Sequence, residues 1–303
     1  MSAGTLQCAR RRAWLRAAAA TAALPAFPPA VLPAARAAAH AAPPRVVVLS
    51  WELAEMLLSL GVTPAGLPAP AWYASSIVAP PLPAGVVDVG LLFQPNFDLL
   101  YELRPDLLLV TPAHASARPL YERIAPTLTL GGYMSAPDPV AAMRGELATL
   151  AARLGAEDRA RTLLAQTGRA VARARQALDA GAPAGGYPAV YVAQAVDERH
   201  VRLFGAHSMF DDVLAALGLR NAFAGARRAV VALDRLAAAP AAAILWVGPG
   251  ARQLRRNPLW RLLPFAQAGR TATLPVIAEG GALVSVQRFA RAVADVMRDV
   301  HAG

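Results

Sequence analysis

The feature that most constrains this chain is a long helical stretch in its middle, from about residue 157 to residue 180, rich in Ala, Arg, Leu and Gln. A shorter helical pattern leads into it. Asp138 stands as cap, Pro139 takes the first turn, and the periodicity holds to Leu154, where Gly155 interrupts it. The segment 181–186, rich in glycine, ends the long stretch. Short apolar runs alternate with helical ones on either side. A helix of that kind, placed between two such regions, is a strut joining two lobes. The expected fold class is therefore α/β: two α/β lobes with mainly parallel sheets, joined by one long helix. The expected divisions are a leader over 1–41, a first lobe over 42–155, the bridging helix over 156–181 and a second lobe over 182–303.

In the first lobe, residues 45–50 read as a buried strand. Leu53, Met56, Leu57 and Leu60 then fall at helical spacing until Gly61 stops them. Residues 62–67 and 86–90 read as further strands, and 68–83 as a long proline-rich loop carrying Trp72 and Tyr73. An aromatic pair in such a loop is a candidate lining for a site. Asn96 can cap a helix, and Arg104-Pro105-Asp106 turns the chain into a strand over 107–111. In the second lobe, 189–195, 243–248 and 271–275 read as strands, 209–217 as a helix stopped by Gly218, and 286–300 as a closing amphipathic helix.

The first forty residues bear on location. Arg11-Arg12-Ala13-Trp14-Leu15-Arg16 is a twin-arginine pattern, followed by an Ala-rich apolar stretch and small-residue cleavage candidates such as Ala39-His40-Ala41. This predicts export by the twin-arginine pathway and a mature protein working outside the cytoplasm, in the periplasm. Cys8 is the single cysteine and would leave with the leader, so the mature chain would have no disulfide, no Cys-ligated zinc and no cysteine nucleophile. The formal charge is +10, of which five arginines lie in the leader, leaving about +5. The arginines are scattered among acids instead of forming a basic stripe, which argues against nucleic acid as a partner.

Signatures of catalysis are missing from the sequence. There is no Gly-x-Ser-x-Gly elbow and no lysine for a phosphate-binding loop; the histidines do not pair at metal-ligand spacing. Asp211-Asp212 are adjacent, and neighbours on a helix point apart. The expectation from these patterns is a chain that is not an enzyme, with no protein-held metal.

A collinear series of short blocks carries a resemblance. Val47-Val48-Leu49-Ser50-Trp51 precedes Glu55-Met56-Leu57-Leu58-Ser59-Leu60-Gly61; then come Pro80-Pro81-Leu82-Pro83, Val87-Asp88-Val89-Gly90, Pro95-Asn96 and Leu103-Arg104-Pro105-Asp106. Ile124-Ala125-Pro126, Phe204-Gly205, Asn221-Ala222, Leu233-Asp234-Arg235-Leu236, Pro258-Leu259-Trp260 and Ala268-Gly269-Arg270 continue it across nearly all of 45–300. The chain resembles class III periplasmic binding proteins for iron–siderophore complexes, and most of all their ferric-hydroxamate (ferrichrome) branch. The resemblance implies a ligand cleft between lobes that move little, a ferric siderophore as ligand, iron carried inside that ligand with no further cofactor, and docking on an inner-membrane ABC permease through one carboxylate per lobe. It also implies a monomer.

The family's ligand residues do not all carry over. Where it has an arginine after Val-Asp-Val-Gly-Leu, this chain has Leu92; where it has a tyrosine donor, His114; where it has cleft tryptophans, Ser76 and Ala278. A ferric hydroxamate wants aromatic walls and a few donors. Trp51, Trp72, Tyr73, Phe93 and Phe204 are the candidate walls; Gln94, His114, Arg227 and Arg228 are the candidate donors, with Glu279 at the cleft lip. Asp212 aligns with the family's second-lobe docking acid. Pro119 replaces the first-lobe acid, with Glu122 one turn away. Other chelates remain open: haem, with His114 as the iron ligand, a corrinoid, or a carboxylate or catecholate siderophore. An exported enzyme or sensor module is the remaining alternative.

Overall fold

A computed structural model describes residues 44–248 and 250–301. The leader and its twin-arginine pattern lie outside the described residues.

The first sheet has five parallel strands in the order β3-β2-β1-β4-β5: β1 Val46–Val48, β2 Gly66–Leu67, β3 Val87–Asp88, β4 Leu107–Val110 and β5 Thr127–Thr129. Both faces are covered, so β1 and β4 are unbroken apolar runs. Helix α1 (Trp51–Ser59) starts after only two intervening residues, because the Ser50 hydroxyl accepts the Leu53 N–H as its N-cap. Helix α2 spans Pro70–Ser76, α3 Phe97–Leu103 and α4 Arg118–Tyr121. The expected loop over 68–83 is thus corrected: its first half is helical, started by Pro70 at the first turn, where the missing N–H costs nothing.

Helix α5 (Pro139–Leu154) ends at Gly155 in the left-handed region, φ 63°. Helix α6 (Glu157–Ala180) follows as the link between the lobes. It buries Ala160, Leu163, Thr167, Ala170, Ala174 and Leu178, one stripe at spacings of three and four.

The second sheet runs β10-β9-β6-β7-β8: β6 Val190–Ala195, β7 His200–Phe204, β8 Arg228–Ala232, β9 Ala243–Val247 and β10 Thr271–Leu274. β10, β9 and β6 are parallel, while β6-β7-β8 are antiparallel. The sequence pattern does not separate out β7 and β8; Arg228, one of the candidate donors, opens β8. Helices α7 (Met209–Ala216), α8 (Ala251–Leu254), α9 (Pro264–Gln267) and α10 (Leu283–His301) complete the lobe.

One apolar core runs through both lobes. It joins Leu53 and Leu57 of α1, Met143 and Leu147 of α5, Leu163 of α6, Phe210 of α7 and Phe289 and Val293 of α10. Polar ties cross as well. The buried Glu55 carboxylate of α1 accepts from the Ala282 and Ser285 N–H groups at 2.9 and 2.8 Å and from the Ser285 hydroxyl at 2.7 Å, which caps the start of α10. Tyr133 Oη donates to the Gly280 carbonyl at 2.9 Å, and Arg288 donates to the carbonyls of Ile77 and Val276 at 2.7 and 2.8 Å.

Candidate functional site

The carboxyl end of β3 builds the first wall. Asp88 Oδ1 accepts from Ala69 N–H at 3.0 Å and from Gly90 N–H at 2.9 Å, tying the strand end to the start of α2. Gly90, at φ 97°, bridges to Pro95, and Asn96 caps α3. The chain between is a tight loop that carries Leu91 to Gln94 to the surface. It forms a cavity of about 490 Å³ with Trp51, Ala69 and Trp72. The Trp51 and Trp72 ring centroids are 5.8 Å apart. Trp51 Nε1 donates to the Pro68 carbonyl at 2.8 Å, which fixes its ring. Trp72 is 64% exposed and Phe93 65%, unusual for rings of that size unless they meet a partner.

A second cavity of about 500 Å³ lies beside the first, along the same α2 helix. It takes Ser75 and Ser76 from α2, Glu52 next to Trp51, Gln194, Arg202, Phe204 and Arg228 from the antiparallel strands, and Ala278, Glu279 and Gly280 from the approach to α10. Both lobes contribute, so this is the inter-lobe cleft, polar where the first cavity is apolar. Leu92, Ser76 and Ala278, the three positions where the resemblance leads one to expect an arginine and two tryptophans, all line these cavities.

Glu279 is nearly buried and lies 3.5 Å from Arg227 Nη1 and 3.8 Å from Arg228 Nη1. Burial pushes its carboxyl above the usual carboxylate range, and the two guanidinium groups pull part of that back. Arg227 Nη2 donates to the Ala136 carbonyl, while its buried Nη1 makes no hydrogen bond to the described residues and lies at ion-pair distance, 3.5 Å, from Glu279. Arg202 Nη1 donates to Gln194 Oε1 at 2.7 Å.

Of the residues singled out from sequence, Trp51, Trp72, Phe93 and Gln94 meet in the apolar cavity, and Phe204, Arg228 and Glu279 in the polar one. Arg227 stands behind Glu279. Tyr73 does not join them. It is 0% exposed in the core, and its hydroxyl donates to the Pro80 carbonyl at 2.7 Å, because a helix, not a loop, carries it and turns it away from Trp72. His114 is also buried and committed at both nitrogens. Nδ1 accepts the Thr111 N–H at 3.2 Å, so the proton sits on Nε2, which donates to the Leu92 carbonyl at 2.8 Å. The ring therefore pins the Leu91–Gln94 loop from behind, with Phe93 against it at 5.4 Å, and offers no nitrogen to a haem iron.

Glu52, Gln194 and Arg202 were missed by sequence reading. A signal existed for Arg202: it stands two residues before Phe204, and residues two apart on a strand share a face. Among the described residues, no group of three His, Cys, Asp or Glu side chains could hold a metal ion, and no helix is long and apolar enough to cross a membrane.

Residues 46–278 match the periplasmic binding protein family. The chain belongs to that family. Among its relatives is the iron(3+)-hydroxamate-binding protein FhuD of Escherichia coli K12, 31% identical over 257 residues, covering 82% of this chain and 85% of the relative. Among solved structures, the siderophore-binding protein FhuD of Vibrio cholerae, bound to Fe3+-Desferal, superposes with a TM-score of 0.80 at 28% identity, covering 85% of this chain and 99% of that one. A Bacillus subtilis component of a Fep/Fec-like ferrichrome ABC transporter shares the fold, with a TM-score of 0.66 at 18% identity over 84% of this chain and 97% of that one. This periplasmic binding protein thus shares the two-lobe frame of those siderophore binders.

Proposed function

We propose that this chain is the substrate-binding component of an ABC importer for a ferric siderophore, of the hydroxamate class or close to it. The observation that carries the reading is the pair of cavities that α1 and α2 both line: an aromatic wall of Trp51, Trp72 and Phe93 in one, and a donor-rich lining with Gln194, Arg202 and Arg228 in the other. Such a site suits a preassembled chelate with an apolar skirt and a polar iron centre. The likeness to iron(3+)-hydroxamate-binding FhuD over most of the chain supports the same ligand class. The iron travels inside the siderophore, so the protein supplies neither a metal ligand nor a cofactor, and it binds without catalysing.

The twin-arginine pattern supports export to the periplasm, where the chain works as a monomer that hands its cargo to an inner-membrane permease. Asp212 and Glu122 are the carboxylates proposed for that docking. Asp212 Oδ2 accepts the Val140 N–H at 3.0 Å, and burial raises its carboxyl. Glu122 is exposed, and Oε1 takes hydrogen bonds from Arg118 and Thr127, which hold its carboxyl below the usual range. Each acid keeps its second oxygen free of hydrogen bonds to the described residues.

Tryptophan fluorescence tests the reading directly, since two tryptophans form the wall. Titration with a ferric trihydroxamate should give saturable one-to-one quenching, absent with haem. Quenching by haem or cobalamin alone would reassign the ligand, and no response to any chelate would remove the transport role.

A further inference from the structure

Both arginines of the polar cavity, Arg202 and Arg228, come from the second lobe, the first lobe adds only the acid Glu52 to its charges, and the first-lobe cavity has no charged side chain in its wall. The strand register explains the arrangement. Arg202 lies opposite Gln194 on one side and Val230 on the other; Phe204 lies opposite Val192 and Arg228. Positions two apart share a face, so Gln194, Arg202, Phe204 and Arg228 project together, and all four line the polar cavity. Diagonal neighbours on adjacent strands sit roughly 7–8 Å apart, close enough for two long guanidinium side chains to converge on one group.

These two arginines are short of acceptors. A guanidinium carries about five N–H donors. Arg202 commits one nitrogen, to Gln194. The Arg228 side chain is 65% exposed and makes no hydrogen bond to the described residues; its contact with Glu279 is 3.8 Å. Glu279 is already shared with Arg227, which lies nearer to it. The other acid of the cavity, Glu52, accepts the Ser50 hydroxyl at 2.7 Å. Two like charges side by side on one sheet face, with unspent donors aimed at a cleft, are stabilised by an incoming anion.

We infer that Arg202 and Arg228 grip an anionic oxygen group of the ferric chelate, so that this protein selects chelates that are negatively charged at the end opposite the Trp51–Trp72 wall. The inference rests on the ferric-chelate reading above. The oxygen group has two chemical sources: a carboxylate pendant from the chelator, or the iron-binding oxygens of a chelate with net negative charge.

Three probes separate these sources: a linear ferric trihydroxamate ending in an ammonium, the same chelate succinylated so that it ends in a carboxylate, and a ferric tris-catecholate. Affinities come from tryptophan quenching of the wild type, Arg202→Gln, Arg228→Gln and the double variant, with thermal unfolding to confirm that each folds. The expected result is tenfold or greater preference for the carboxylate or the tris-catecholate over the ammonium probe, lost in the double variant and weakened by salt. The carboxylate arm alone points to a pendant group, and the catecholate arm alone to the iron-bound oxygens. Equal affinities, a preference for the ammonium probe (which would make Glu52 and Glu279 the operative charges), or a preference that survives the double variant overturns the inference while leaving ferric-chelate transport standing. Failure of all three probes on the wild type overturns both.

Discussion

Single residues decide what the cleft can hold. Replacing an expected arginine by Leu92 makes the first-lobe wall apolar, and the carbonyl of that same residue is fastened by His114. His114→Ala should cost about 1–3 kcal/mol in urea unfolding, because the Leu92 carbonyl and the Thr111 N–H lose a partner. It should also weaken chelate binding several-fold by freeing the Leu91–Gln94 loop. Unchanged affinity in a folded variant would show that the loop needs no pin. Nothing in the residues around His114 in the sequence distinguishes such a pin from a ligand donor. Its role depends on two hydrogen bonds, one of them to a residue 22 positions away. Tyr73 was illegible for a related reason: proline density in 68–83 suggested a loop, and a one-residue step along the α2 helix puts Trp72 in the cleft and Tyr73 in the core.

At the level of elements, the strut and the parallel strands were legible because their signals are local. The α6 stripe repeats at helical spacing, and β1 and β4 are continuous apolar runs between turn residues. The antiparallel pair β7–β8 was not. His200-Val201-Arg202-Leu203-Phe204 is half polar, and its partner lies beyond an entire helix, so the pairing that assembles the arginine face is a non-local fact. Within α6, Gly168 has open space where a Cβ would stand. Gly168→Ala should therefore raise stability by up to about 1 kcal/mol, through helix propensity and a less mobile unfolded chain, with ligand affinity unchanged. Calorimetry and the same fluorescence titration check both halves of that statement.

For the molecule as a whole, the lobes are held by a shared core and by Glu55. Burial raises the Glu55 carboxyl from its ordinary 4.5 to about 7, opposed by its bonds from Ser285 and Ala282 and by the charge of Arg288; Tyr73 and Tyr133 are the other titratable groups that feel it. A folded-state pKa above the unfolded value means that the native protein binds the proton more tightly. Stability should therefore fall as pH rises from about 4.5 to about 7, by roughly 3 kcal/mol if the whole shift is realised, and level off above. Urea midpoints of Glu55→Gln should show less of this decline than the wild type across that window, from a lower starting value, since the amide NH2 cannot accept where the second carboxyl oxygen does. Identical slopes would assign the pH dependence elsewhere. The placement of this carboxylate also has a consequence for biosynthesis. Its partners, Ala282 and Ser285, lie 227 and 230 residues further along the chain and leave the ribosome that much later. The lobe that is translated first is therefore finished last, and a nascent chain stalled or cleaved short of that point would carry an open seam in the half already made.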